Sequence, residues 1–309
     1  MKRKMLNVPK GGYDGMKGFT IVEFLVAGLL SIIVLIAVVS SYFTSRKLND
    51  AANERLAEQQ DLRNAATLIV RDARMAGSFG CFNMSEHIKD VVVSDVPQKN
   101  YLFSLKKSNA NKLIPIAESP NINYQNFFQV SSALIFQYGI DDVNASDATT
   151  VVSSCAAISK PGKQIPTLED AKKELKIVSQ DKEQGNIARQ RHVVNAYAVG
   201  KIAGERGLFR FQLDDKGKWG NPQLLVKKVK RMKVRYIYVS GCPEDEDVGK
   251  EEQFKYTDKF DGSVTPAGVE VLLDSGSDAK IAASSDNIIY AYRINATIRG
   301  GNVCANRTL

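Results

Sequence analysis

The chain is poor in the residues that site chemistry needs. Only two histidines occur in 309 residues, His87 and His192. The four cysteines, Cys81, Cys155, Cys242 and Cys304, stand far apart and form no CxxC pair. A structural zinc site draws four Cys or His ligands from short spacings, so neither a metal site nor a cofactor is expected. There is no glycine-rich phosphate loop, no nucleophile elbow and no HExxH sequence. The main signatures of nucleotide binding, serine hydrolysis and zinc proteolysis are therefore missing. Internal repeats and low-complexity linkers are absent as well. With no convergent set of His, Cys or carboxylates, the chain reads as a non-enzyme.

Composition is that of a folded protein, with 44% hydrophobic and 25% charged residues. The net charge of +8 overstates the basic character of most of the chain. Lys2, Arg3, Lys4, Lys10 and Lys17 against Asp14 supply about +4 of it within the first 18 residues. The remainder is only mildly basic, and no nucleic-acid partner is expected. Widely spaced cysteines, even in number, suit two disulfides in an exported domain, with three possible pairings.

An apolar run extends from Phe19 to Phe43. Its length matches the roughly 20 residues that a membrane-crossing helix needs. The basic residues precede it, so the N-terminus is expected in the cytoplasm and the rest of the chain on the other side of the membrane. A secretory signal peptide would end in a small-residue cleavage site after the apolar run, and none follows Val39. Instead a glycine separates the basic region from the apolar run, in Lys17-Gly18-Phe19-Thr20-Ile21-Val22-Glu23-Phe24. An ionisable side chain inside a membrane segment is costly, which makes Glu23 a functional candidate.

These residues resemble the leader of type IV prepilins: a basic stretch, Gly, then Phe-Thr-x-x-Glu and about twenty apolar residues. The resemblance implies cleavage by prepilin peptidase between Gly18 and Phe19, followed by N-methylation of Phe19. It implies that Glu23 sets filament register by pairing with the N-terminal amine of an adjacent subunit, since a buried carboxylate needs a cation. The leader, residues 1–18, is long for this class. Met5 and Met16 are alternative starts that leave the mature product unchanged.

From Arg46 to Ala76 there is neither proline nor glycine. Leu62, Ala65, Ala66, Ile69, Ala73 and Ala76 recur at helical spacing, with Arg63, Asn64, Thr67, Arg71 and Arg74 opposite. Leu48, Ala52 and Leu56 follow the same spacing upstream. Leu68 and Met75 lie off the stripe and read as edge packing. Gly77 supplies a stop. The spacing predicts one helix of about 57 residues, roughly 85 Å long, apolar all round over residues 19–45 and amphipathic over 46–76.

Residues 77–309 read as β-rich. Strands are expected at Ser131–Tyr138, Thr150–Ile158, Gly207–Leu213, Met232–Val239 and Ile288–Ile298. Asp214-Asp215-Lys216-Gly217 marks a hairpin, with its second strand after Trp219. Thr167–Ile177 reads as one short helix. The expected class is α+β, a long N-terminal helix packed against an antiparallel sheet domain.

His87 reads as a surface histidine, and His192, after Arg189 and Arg191, as loop or strand edge. Glu244-Asp245-Glu246-Asp247 lacks the spaced ligands of a calcium loop and reads as solvated. Lys227, Lys228, Lys230, Arg231, Lys233 and Arg235 form the densest basic patch. On a strand, Lys233 and Arg235 would face away from Met232, Val234 and Tyr236. No aromatic residue is interleaved on that basic face, which argues against DNA and for a solvated face or a charged subunit contact.

The later segments resemble PilW-type minor pilins. Arg71-Asp72-Ala73-Arg74-Met75-Ala76-Gly77 followed by Gly80-Cys81 is similar to that family's helix end. Val152-Ser153-Ser154-Cys155 is similar to its central strand and cysteine, and Gly207-Leu208-Phe209-Arg210, Leu225-Val226 and Val229–Tyr236 to its later strands. The resemblance implies a type IV pilin-like fold and a role in pilus assembly within a priming complex. The implied partners are prepilin peptidase, other minor pilins, the major pilin, the inner-membrane assembly platform and, before assembly, inner-membrane lipid. A pseudopilin of type II secretion is the alternative. Among the three disulfide pairings, Cys81–Cys155 and Cys242–Cys304 are favoured. The first would pin the helix end to a central strand, and the second would tie the carboxyl terminus to the loop after Tyr238.

Overall fold

The computed structural model of the chain describes residues 18–86, 92–93, 113–162, 165–177, 186–240, 253–262, 264–274, 292–299 and 301. The chain opens with helix α1 (Ile21–Met75), followed by strands β1 (Ser78–Phe79), β2 (Phe82–Asn83), β3 (Val92–Val93), β4 (Ile116–Ser119), β5 (Phe128–Gln129), β6 (Ala133–Ile140), β7 (Thr150–Ser153) and β8 (Ile158–Ser159). Helix α2 (Leu168–Glu174) precedes β9 (Ala188–Ile202), β10 (Glu205–Leu213), β11 (Trp219–Lys227), β12 (Arg231–Ser240), β13 (Gln253–Thr257), β14 (Gly268–Asp274) and β15 (Tyr292–Thr297). The architecture is α+β. The strand pairs are antiparallel apart from the short parallel contact of β3 with β8.

The chain divides into two compact units, Met1–Ala57 and Glu58–Leu309. In the first, the apolar side chains of α1 from Ile21 to Phe43 are exposed, as are Leu48 and Leu56. Ser31 and Thr44 donate their hydroxyls to the carbonyls of Ala27 and Ser40, at 2.8 and 2.9 Å. This back-bonding satisfies the polar groups of an otherwise apolar helix internally.

In the second unit the last turns of α1 bury Leu62, Ala65, Ile69, Ala73 and Ala76, the stripe that the periodicity picks out. Leu68 packs at its margin. The stripe meets two sheets. One is a nine-stranded sheet built around β9, which pairs with β10 along its C-terminal half, with β6 through its middle, with β7 at its start and with β5 near its end. The other has the order β13-β12-β14-β15. Leu134, Phe136, Tyr197, Met232, Val234, Tyr236, Val269, Val271 and Ile294 join the helix stripe in one core.

Strand alternation explains why the large sheet is apolar on both faces. Leu134 and Phe136 of β6 enter the helix-side core, whereas Ala133 and Ile135 enter a second core with Ala196, Ala198, Phe209 and Phe211. Tyr236 of β12 donates its hydroxyl to Glu118 of β4 at 2.6 Å, linking the two sheets.

Two expectations need correction. The segment Thr150–Ile158 is two strands, because Ser154 interrupts it: its Oγ accepts from the amides of Ala156 and Ala157, at 3.2 and 3.0 Å, and forms a local turn. His192 is no edge residue. It lies inside β9, fully buried, with Nε2 3.0 Å from Gln137 Oε1 and its ring against Phe79. The short helix forms as α2, capped by Thr167, whose hydroxyl accepts from the Asp170 amide at 3.1 Å.

Candidate functional site

The start of α1 shows why Thr and Glu stand three residues apart. The Thr20 amide donates to Glu23 Oε2 at 3.0 Å, and the Glu23 amide donates to Thr20 Oγ1 at 3.3 Å. The Thr20 hydroxyl also donates to Glu23 Oε2 at 3.0 Å. This reciprocal arrangement is a capping box, which satisfies amides that the first helical turn leaves without partners. It also sets an anionic group at the positive end of the helix dipole. The motif therefore has a local role as a helix cap, beside the contact to another subunit that the prepilin resemblance implies for Glu23.

Gly18, immediately upstream, has no such local reason. A Cβ placed on it meets no heavy atom within 4 Å, and its φ lies outside the left-handed region. No intramolecular contact among the described residues demands glycine there. Phe19 and the residues that follow are exposed, and α1 is long and apolar enough to be a candidate single membrane span.

At the other end of α1 a buried polar hub fixes the helix to the large sheet. Asp72 is fully buried. Its Oδ1 accepts from the Tyr138 hydroxyl at 2.9 Å, and its Oδ2 accepts from Tyr197 at 2.6 Å and Asn195 Nδ2 at 2.8 Å. Arg71 lies 3.2 Å from Oδ1 and Arg210 3.5 Å from Oδ2. A buried carboxylate is tolerated only when paired and hydrogen-bonded, and both conditions are met. Burial and the Asp72 charge push the Tyr138 phenol up to about 12, and they push Tyr197 up as well. The sequence did hold a signal: Ala65, Ile69, Asp72 and Ala76 are spaced i, i+4, i+7, i+11, so an acid sits on the apolar stripe.

The helix then ends at Gly77, whose φ is +79° and whose amide donates to the Gln137 carbonyl of β6 at 2.8 Å. A Cβ on Gly77 would lie 2.9 Å from Pro115 Cβ. Just beyond, Cys81 and Cys155 form a disulfide with a Cα–Cα distance of 4.7 Å. Ser153 donates its hydroxyl to the Phe79 carbonyl at 2.7 Å and reinforces the same junction. Cys242, Cys304, His87 and the acidic run Glu244–Asp247 lie outside the described residues.

Two members of the basic patch, Lys233 and Arg235, join an ion-pair network on the outer face of the four-stranded sheet. Met232, Val234 and Tyr236 point into the core, and Lys233 and Arg235 point away. Lys233 pairs with Asp258 at 2.7 Å, and Arg235 and Arg293 clasp Glu270 at 2.8 and 3.0 Å. Contrary to the sequence reading, an aromatic residue does join this face. Strand β13 brings the Tyr256 ring 5.4 Å from the Arg235 guanidinium. Lys233, Arg235 and Arg293 thus face carboxylates of this chain. The described residues contain no cluster of His, Cys, Asp or Glu arranged to hold a metal ion.

Comparison with known proteins adds no assignment: no protein-family model, no curated protein and no solved structure matches the chain.

Proposed function

We propose that the chain is a minor pilin of a type IV pilus, of the PilW type and most like PilJ within it, and that it acts without catalysis in starting filament assembly. The observation that carries this reading is the combination at the N-terminus. A glycine that no contact among the described residues requires precedes a Thr20–Glu23 capping box at the head of a long, exposed apolar helix. A glycine with no internal reason suits recognition by another protein, here prepilin peptidase. Cleavage after Gly18 would free the amine of Phe19 for methylation, next to the capping box.

In this proposal the apolar half of α1 lies in the inner membrane before assembly and in the filament afterwards, with residues 77–309 in the periplasm. Glu23 would give up part of its local cap to pair with the amine of a neighbouring subunit, which fixes axial register between helices that otherwise slide. The hub at Asp72 and the disulfide would hold the β-rich domain to the helix while the assembly platform moves the subunit. Other minor pilins and the major pilin are the partners; no cofactor and no nucleic acid is required.

The test is deletion of the gene in its host, scored by surface pili. The expected result is a sharp fall in pilus number with the major pilin retained in the membrane. Removing the retraction motor as well should restore fibres in part. Unchanged piliation overturns the proposal. Loss of enzyme secretion in place of piliation transfers the protein to the type II pseudopilins.

A further inference from the structure

We propose that Tyr42, Phe43, Arg46 and Lys47 form a collar on α1 that binds the anionic headgroups of phospholipids where the helix leaves the bilayer. The inference deepens the proposed function and rests on its reading of α1 as a membrane span before assembly.

From Ile21 to Phe43 the helix exposes apolar side chains on every side, not along one stripe. A protein groove covers one face of a helix, whereas a surface that is apolar all round and this long is matched by hydrocarbon. The helix is unbroken from Ile21 to Met75, so positions along it are set by its rise. Tyr42 stands nineteen residues after Glu23, a distance of about 29 Å. The hydrocarbon core of a bilayer is about 30 Å thick. With the Thr20–Glu23 capping box at one polar boundary, Tyr42 and Phe43 therefore reach the other. Tyrosine favours that level, where its ring stays in apolar surroundings and its hydroxyl meets water. Glu23 is thereby set at a boundary and not in hydrocarbon, and a carboxylate is tolerated there at much lower cost.

Headgroup recognition comes from the next turn. Arg46 and Lys47 follow Tyr42 and Phe43 by four residues each, so the four side chains share one side of the helix. The two cations lie about 6 Å beyond the rings, at the level of the lipid phosphates. Both are exposed, and neither makes an ion pair among the described residues. The acids on that side, Asp50 and Glu54, stand one and two turns further from the bilayer. A pair of uncompensated cations beside an aromatic boundary attracts lipids of net negative charge over zwitterionic ones.

The test reconstitutes the full-length chain into bilayers of phosphatidylcholine and phosphatidylglycerol. Tyr42→Trp in a Trp219→Phe background leaves one tryptophan, at the boundary. Lipids brominated near the glycerol should quench it, and lipids brominated at the chain ends should not; Ile33→Trp in the same background should behave in the opposite way. Brominated phosphatidylglycerol should quench the boundary tryptophan at about fivefold lower mole fraction than brominated phosphatidylcholine, the ratio given by about 1 kcal/mol of attraction to one cation. Arg46→Gln combined with Lys47→Gln should bring the two lipids to parity, and high salt should act in the same direction. Native mass spectra of the unaltered chain, released from nanodiscs that hold both lipids, should show phosphatidylglycerol retained in preference, with no substitution needed. Equal quenching by the two lipids, or a preference that Arg46→Gln with Lys47→Gln leaves unchanged, overturns the collar and leaves the membrane span standing. Quenching from the chain ends alone overturns the assigned depth and the collar. A boundary tryptophan that no lipid quenches overturns the span itself, and the collar with it.

Discussion

Replacing Asp72 with alanine tests the claim that a buried carboxylate, not hydrophobic contact alone, holds the helix to the large sheet. The substitution removes the acceptor for Tyr138, Asn195 and Tyr197 and strands the nearly buried Arg210. Hydrogen bonds to a charged group contribute roughly 1.5–3 kcal/mol each, but they are not additive within one network. Removing one partner of a buried ion pair costs about 3–5 kcal/mol, and that figure governs here because Arg210, only 12% exposed, is left facing the vacated site. Arg71 is over half exposed and adds little. Asp72→Asn keeps the size and one acceptor oxygen, so its cost should be about half as large. Urea unfolding of the full chain in mild detergent, followed by the fluorescence of its single tryptophan, Trp219, gives both numbers. Adding Arg210→Ala to Asp72→Ala should cost much less than Arg210→Ala alone, because the pair is already broken. A loss below about 1 kcal/mol for Asp72→Ala, or strict additivity of the pair, would refute the hub.

Gly77→Ala should destabilise by about 1–2 kcal/mol from the left-handed backbone alone, and by more because the new Cβ presses on Pro115; a wild-type unfolding midpoint would contradict this. Non-reducing peptide maps should join Cys81 to Cys155, and pairing of Cys81 with Cys242 or Cys304 would contradict the fold. Burial lowers His192 from 6.5 to about 3, so the folded state resists its protonation. The unfolded chain binds that proton first, so stability is full above pH 6.5 and falls as pH drops towards 3, by about 1.4 kcal/mol per unit of separation at most. His192→Gln should flatten that acid limb in unfolding measured against pH. Tyr138 behaves in the opposite sense: its raised value gives stability that is present below pH 10 and lost as pH rises towards 12, and Tyr138→Phe should remove that alkaline loss.

The helix and two strands of the four-stranded sheet, β12 and β15, are legible in the sequence because each has one buried face, whereas β13 and β14 are not. The stripe Leu62, Ala65, Ile69, Ala73 and Ala76 has a helical period, and Met232, Val234 and Tyr236 alternate with Lys233 and Arg235. Strand β9 escaped because both of its faces are buried: Val193 to Val199 is nearly continuous in apolar character and shows no period of two. Its polar members, His192 and Asn195, then look like surface residues, although one meets Gln137 and the other Asp72. Asp72 escaped for a related reason, since an acid on an apolar stripe reads as an interruption until Tyr138 and Tyr197 arrive from distant strands. The aromatic neighbour of Arg235 was hidden because β13 lies on the far side of a long connection. At the N-terminus, the spacing of Thr20 and Glu23 was visible, but it pointed to assembly before it pointed to helix capping.

If the chain is a filament subunit, it is processed after Gly18. Intact-mass analysis of the protein purified from its host membrane tests it most directly. The expected result is a chain that begins at Phe19 and carries one methyl group on its amine, and a Gly18→Val variant that keeps its leader. A wild-type mass that still includes Lys17 and Gly18 would contradict it.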